Sequence, residues 1–185
     1  MIIKKSILEG CIIIEPKVFI DERGFFLETF HSKRYIEAGI EIPFVQDNRS
    51  SSSRGVLRGL HFQKSKPQGK LVTVTYGEVF DVAVDIRPDS ATFGQYESVI
   101  LTEKNKLQLY IPPGFAHGFC VLTEKADFQY KCTDYYDPTD ESGIRWDDPQ
   151  LNIPWPKLNL ILSEKDSNLP FLNEIKIDLI NGWRK

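Results

Sequence analysis

Cysteine is scarce in this 185-residue chain, and histidine equally so. Cys11, Cys120 and Cys132 are odd in number and form no C-x-x-C pair, which argues against a disulfide framework and a zinc ribbon. Cys11 in GCIIIE and Cys120 in HGFCVL lie in apolar runs and read as small buried hydrophobes. Reduced thiols suit a cytoplasmic protein. Long hydrophobic runs are missing too. The opening MIIKKSILEGCIIIEP is broken by Lys4, Lys5, Glu9 and Gly10, so neither a signal peptide nor a membrane span is expected. Charge of one sign is not in excess: 23 Lys and Arg stand against 26 Asp and Glu, for a formal net charge of -3. Without a basic face a nucleic-acid partner is not expected. A small anionic ligand, which needs only a few placed cations, stays open. No repeat, low-complexity segment or linker divides the chain. One domain over 1–185 is expected, large enough to bury a core without disulfides.

What the chain does have is strand patterning. In LVTVTYGEVFDVAVDIR (71–87), Val72 and Val74 alternate with Thr73 and Thr75 before a turn at Tyr76-Gly77-Glu78. After it, Phe80, Val82, Val84 and Ile86 alternate with Asp81, Ala83, Asp85 and Arg87, the period of a strand with one buried face. Leu107, Leu109 and Ile111 repeat the pattern, and further β-rich runs fall at 11–14, 17–20 and 127–136. Helix signals are weak; the best is HSKRYIEAG, with Ser32 as N-cap and Gly39 as stop. Residues 138–170, rich in Pro, Asp and Trp, read as an ordered irregular tail over a core. Many short strands with recurring turns predict an all-β sandwich or barrel, and a double-sheet jelly roll suits the length.

The three histidines can be weighed singly. His31 opens the short helix and reads as a surface residue. His61 lies in VLRGLHFQ; strand alternation puts Arg58, Leu60 and Phe62 on one face and Leu57, Gly59, His61 and Gln63 on the other. Gly59 beside His61 leaves space for a ligand, although a hydrogen-bonded structural histidine explains the segment as well. His117 follows a Pro-Pro-Gly turn in IPPGFAHGF. With no H-x-H pair, and only His61 and His117 expected to point inward, a three-histidine metal site is not expected. Lys70 in QGKLV reads either as a snorkelling surface lysine or as a site residue. DERGFFLE combines Arg23, Phe25, Phe26 and Glu28, which suits nucleotide recognition and equally a strand edge. FQYKCTDYYD puts Phe128, Tyr130 and Cys132 on one face, so an inward Tyr130 is either a core hydrogen bonder or an acid.

Eight separated runs resemble one family in order along nearly the whole chain. They are FIDERGFFLETF (19–30), FVQDNRSSSSRGVLRGLHFQ (44–63), PQGKLV (67–72), GEVFDVAVDIRPDSATFGQ (77–95), IPPGFAHGF (111–119), YKCTDYY (130–136), IRWDDP (144–149) and LSEKD (162–166). The family is that of the dTDP-4-dehydrorhamnose 3,5-epimerases. The resemblance implies a cupin-type jelly-roll β-sandwich, a homodimer with the Arg23 to Glu28 segment lying over the partner's site, and no metal or organic cofactor. It implies a dTDP-sugar substrate, dTDP-4-dehydro-6-deoxy-D-glucose, converted to dTDP-4-dehydro-L-rhamnose. By position it implies His61 as base, Asp166 as its partner, Tyr130 as acid and Lys70 near the sugar. Substrate contacts carry over to Arg23, Glu28, Gln46, Asp47, Asn48, Arg58, His117, Glu141 and Lys165, and thymine stacking to Tyr136.

The chemistry explains why such residues are needed. Carbons 3 and 5 flank a ketone at carbon 4, so proton loss from either gives an enolate. Inversion needs removal on one face and return on the other, hence a base and an acid on opposite sides of the ring. Histidine titrates at ~6.5 and tyrosine at ~10, which suits these roles. A carboxylate fixes the imidazole tautomer, a cation such as Lys70 steadies the enolate oxygen, and Arg23 and Arg58 can meet the diphosphate. Rival readings are a single-carbon epimerase or ketoisomerase on the same fold, a non-catalytic sugar-binding jelly roll, and a metal-dependent oxygenase.

Overall fold

In the computed structural model, residues 1–175 are described. Thirteen strands run β1 (Ile2–Lys5), β2 (Ile12–Glu15), β3 (Val18–Asp21), β4 (Gly24–Leu27), β5 (Gln46–Ser53), β6 (Leu57–Gln63), β7 (Lys70–Tyr76), β8 (Glu78–Asp85), β9 (Tyr96–Thr102), β10 (Gln108–Ile111), β11 (Phe115–Val121), β12 (Lys125–Cys132) and β13 (Glu141–Gly143). The helices are short: α1 (Ser32–Glu37), α2 (Glu164–Ser167) and a 3-10 turn at Leu172–Glu174. A six-stranded sheet, ordered β1-β2-β10-β7-β12-β5, faces a five-stranded sheet, ordered β13-β6-β11-β8-β9. The pairings are antiparallel, and β3 and β4 form a separate hairpin. This is the expected cupin-type jelly roll, with Leu151, Ile153 and Leu172 of the tail packed on the outside of the five-stranded sheet.

The core between the sheets takes the inward residues of both, including Val72, Val74, Leu109, Phe119 and Phe128. Val72 and Val74 point in and Thr73 and Thr75 out, as the alternation in β7 predicts. Strand β8 departs from expectation, because both of its faces are buried. Val82, Val84 and Ile86 pack outward against Leu151, Ile153 and Leu172 of the tail. Asp81, Ala83 and Asp85 are fully buried on the other face. The tail thus covers the apolar face, and the face that alternation alone would leave to solvent turns inward.

The short helix also differs in detail. His31 takes the N-cap position without a side-chain cap bond, and Ser32 is the first helical residue. His31 is half-buried rather than on the surface, and its Nδ1 is buried without a hydrogen-bond partner among the described residues. The cause is α1 itself, whose Tyr35 docks into a small cluster with Ile14, Leu71 and Tyr110. All three cysteines are free and buried, Cys132 included. No helix of the described residues is long and apolar enough to cross a membrane.

Candidate active site

The two sheets part at one end, and side chains from both walls line the opening. One lobe, of ≈ 440 Å³, is lined by residues that include Arg58, His61, Lys70, His117, Tyr130, Lys165 and Asp166. The adjoining lobe, of ≈ 370 Å³, has Gln46, Asn48, His61, Gln63, Lys70, Tyr130, Tyr136 and Glu141 among its lining. His61, Lys70 and Tyr130 line both lobes and so stand at their junction. His61 comes from β6 in the five-stranded sheet, Lys70 and Tyr130 from β7 and β12 in the six-stranded sheet. A ligand at the junction therefore has an imidazole on one wall and a phenol on the other.

Strand β6 reaches this arrangement by breaking its own alternation. On β11, His117 pairs with His61 and Phe119 with Arg58, so β6 carries one extra residue in that interval. The bulge turns Arg58 into the same lobe as His61, where simple alternation puts it on the opposite face. Gly59 makes the bulge possible. Its φ is +115°, and a Cβ there would lie 2.6 Å from both the Gly118 Cα and the His117 carbonyl oxygen. We expect Gly59→Ala to destabilise the fold by roughly 2 kcal/mol or more, read by urea unfolding. A variant as stable as wild type would show that β6 and β11 can part here at no cost.

His61 Nε2 lies 2.6 Å from Asp166 Oδ1, leaving Nδ1 at 3.9 Å from Glu141 Oε1. Asp166 is 4% exposed and sits on α2, where Ser163 caps the helix by accepting the Asp166 N–H at 3.0 Å. Burial works to raise its pKa. The hydrogen bond and charge of His61, the Gly59 N–H and the Ser163 hydroxyl outweigh that and hold the carboxyl below its ordinary range. With the carboxylate accepting at Nε2, the Nδ1 lone pair of a neutral imidazole is free to take a proton.

Across the cleft, burial pushes the Tyr130 phenol up, with Cys132 and Glu141 adding and Arg58 opposing. The Tyr130 proton is thereby held more tightly. Burial pushes the Lys70 ammonium down against the pull of Cys132, Asp81 and Glu141. Lys70 is half-buried and lines both lobes rather than snorkelling from a strand edge.

His117 Nε2 meets Asp81 Oδ2 at 2.9 Å, and its ring stacks on Phe128. Burial depresses its pKa beyond what Asp81 restores, with Lys70 and His61 adding to the depression. The resemblance does not point to Asp81. Asp81 pairs with Phe119 and Ala83 with His117, so Asp81 reaches His117 diagonally across the β8–β11 register, a relation visible only in the sheet.

Gln46 and Asn48 face inward from β5 and bond to each other at 3.0 Å. Tyr136 donates to Glu141 Oε2 at 2.7 Å, and Lys165 pairs with the same oxygen. Arg58 donates to the Ser52 hydroxyl at 3.2 and 3.1 Å. Gln63, whose side-chain oxygen accepts the Asp137 N–H at 3.0 Å, joins the lining although alternation alone gave it no role.

Three residues named for substrate contact lie outside both lobes of this chain, Arg23 and Glu28 on the segment expected over a partner's site. Asp47 is on the outer face of β5, paired with Lys131 at 2.9 Å, because its neighbours take the inner face. Arg23 is 85% exposed at the β3–β4 turn and pairs with Asp21, and Glu28 pairs with Arg34. None of the three lines either lobe in its own chain. Among the described residues no group of three or more His, Cys, Asp or Glu is arranged to hold a metal.

The cleft of this jelly roll sets a His–Asp pair on one wall against a phenol on the other. Comparison with known proteins makes this specific. The family model described as dTDP-4-dehydrorhamnose 3,5-epimerase matches residues 5–174. The chain is 54% identical over 173 residues to the dTDP-4-dehydrorhamnose 3,5-epimerase of Methanothermobacter thermautotrophicus, covering 92% of this chain and 94% of that one. It is 52% identical over 177 residues to the Escherichia coli K12 protein of the same name, covering 94% and 96%. A crystal structure of dTDP-6-deoxy-D-glucose-3,5-epimerase from Legionella pneumophila, in complex with dTDP-4-keto-L-rhamnose, superposes with a TM-score of 0.94 at 56% identity, covering 96% of each chain. The chain belongs to the dTDP-4-dehydrorhamnose 3,5-epimerase family.

Proposed function

We propose that this enzyme inverts carbons 3 and 5 of dTDP-4-dehydro-6-deoxy-D-glucose, giving dTDP-4-dehydro-L-rhamnose. The observation that carries the reading is the junction at which His61, on one sheet, faces Lys70 and Tyr130, on the other. His61 removes the proton beside the ketone through Nδ1 while Asp166 steadies the imidazolium at Nε2. Lys70 stabilises the enolate oxygen, so no metal or organic cofactor is called on. Tyr130 returns a proton from the opposite wall. Arg58 meets the diphosphate and Tyr136 the thymine, with Gln46, Asn48, His117, Glu141 and Lys165 holding the sugar nucleotide between them. The nucleotide end supplies binding energy that positions the ring. Buried free thiols suit work in a reducing cytoplasm.

Proton NMR of the enzyme with the keto-sugar nucleotide in deuterated water tests this. Exchange and inversion at both carbons is the expected result. Inversion at one carbon would identify a single-carbon epimerase, and no exchange would leave a sugar-binding jelly roll.

The reading also includes a homodimer. On the β3–β4 hairpin Phe19, Ile20, Phe25 and Phe26 are 50–81% exposed, an apolar patch that calls for a cover. A two-fold partner would cover it and carry Arg23 and Glu28 to the neighbouring cleft, which explains why they miss their own. Mixing Arg23→Ala chains with His61→Asn chains is expected to raise activity above either variant alone, since one cleft then has both residues intact. No rise in proven mixed dimers would assign Arg23 to its own chain's site.

A further inference from the structure

Asp148 lies outside the cavity lining, yet its carboxylate is only 3% exposed. It falls in the IRWDDP run, which the proton-transfer scheme leaves without a role. Its Oδ1 accepts the backbone N–H groups of Gln150 at 2.8 Å and Leu151 at 2.9 Å, closing a turn in its own segment. Its Oδ2 accepts the N–H of Leu172 at 2.6 Å, well beyond that turn. Leu172 is buried in the cluster outside the five-stranded sheet, on the tail that carries Asp166.

The same segment grips that tail again nearby. The Arg145 N–H donates to the Pro170 carbonyl at 2.9 Å, and its guanidinium lies 4.5 Å over the Phe171 ring. Leu169 packs where any side chain at Gly143 would have to stand. Upstream, Ile161 is tied to β6: it donates to the Gly55 carbonyl at 2.8 Å and accepts from the Leu57 N–H at 3.0 Å. Between these two anchors stands α2 with Asp166. The strap is thus pinned at both ends, and its middle delivers the carboxylate to His61.

We propose that Asp148 is a positioning residue for the proton transfer: by holding Leu172 it fixes the strap from which Asp166 orients His61. This rests on His61 and Asp166 acting as base and orienting carboxylate. A carboxylate is needed because both oxygens accept. Asparagine has the same shape but one acceptor oxygen, so it can close the turn or hold Leu172, not both. Its amide would meet an N–H with an N–H.

The test compares Asp148→Asn with Asp166→Asn, Leu169→Ala and Leu101→Ala. Leu101 is a buried residue of β9, at the sheet edge far from β6. Asp148→Asn is expected to lower kcat roughly ten- to hundredfold with little change in KM, since misplacing a catalytic group by about 1 Å has effects of that order. The downfield proton of the His61 Nε2–H bond to Asp166 should broaden or vanish in the NMR spectrum. Leu101→Ala, with an equal or larger fall in Tm, should keep both. Leu169→Ala loosens the strap at a second point and should lower kcat in the same direction; it carries the test if Asp148→Asn does not fold. Wild-type kcat in the strap variants, with Asp166→Asn impaired, would overturn the proposal alone. Wild-type kcat in Asp166→Asn would overturn the assignment of the pair and the proposal with it.

Discussion

His61→Asn is expected to abolish deuterium wash-in at carbon 3 and carbon 5 together, with a loss of about 10²–10⁴ in rate. The reason is geometric. His61 lines both lobes of the cavity, with Nε2 engaged by Asp166 and Nδ1 left for the substrate. His117, whose Nε2 is likewise held by a buried carboxylate, Asp81 at 2.9 Å, lines one lobe only and is 7% exposed. Asparagine keeps a polar group near Asp166 and cannot accept a proton at neutral pH. A factor of 10²–10⁴ corresponds to ~3–5 kcal/mol in the barrier, more than a change in substrate binding alone would explain. The measurement is carbon-by-carbon exchange by proton NMR. Exchange at the wild-type rate would remove His61 from the role of base. Loss at one carbon only would mean that a second base serves the other.

Tyr130→Phe is expected to separate exchange from inversion. The base on the five-stranded sheet remains, so protons still leave and deuterium still enters from that face. The wall formed by the six-stranded sheet loses its hydroxyl, and the enolate is no longer protonated from there. Net epimer should fall by about 10²–10⁴ while wash-in continues much nearer the wild-type rate. The aromatic ring stays packed beside Phe128, at 5.9 Å between centroids, so the fold should hold. Full epimer formation would place the acid elsewhere. Equal loss of exchange and inversion would mean that the phenol is needed already at proton removal, as an enolate-stabilising donor.

The linear sequence determined the class of fold and named the residues proposed to act on substrate. Period-two alternation in β7 and β12 is a local property of the extended chain, so the inward Val72, Val74, Phe128, Tyr130 and Cys132 were legible without coordinates. The family resemblance named His61, Lys70, Tyr130 and Asp166, and the cleft brings the four together. Tertiary structure decided whatever depends on a partner strand or a third layer. The bulge at Gly59 that turns Arg58 toward His61 appears only against β11, since a register shift is a relation between two strands. Asp81 and Asp85 became interior groups because the tail covers the opposite face of β8, which no window along that strand reveals. Asp47, Arg23 and Glu28 left the chain's own cleft for the same kind of reason: one strand face or one hairpin direction is fixed by packing against residues far away in sequence. Asp166 lies 105 residues from His61 and meets it at 2.6 Å because the anchors at Ile161 and Leu172 close that long loop. Loop closure is a property of the whole fold, and it sets the geometry of the proposed proton transfer.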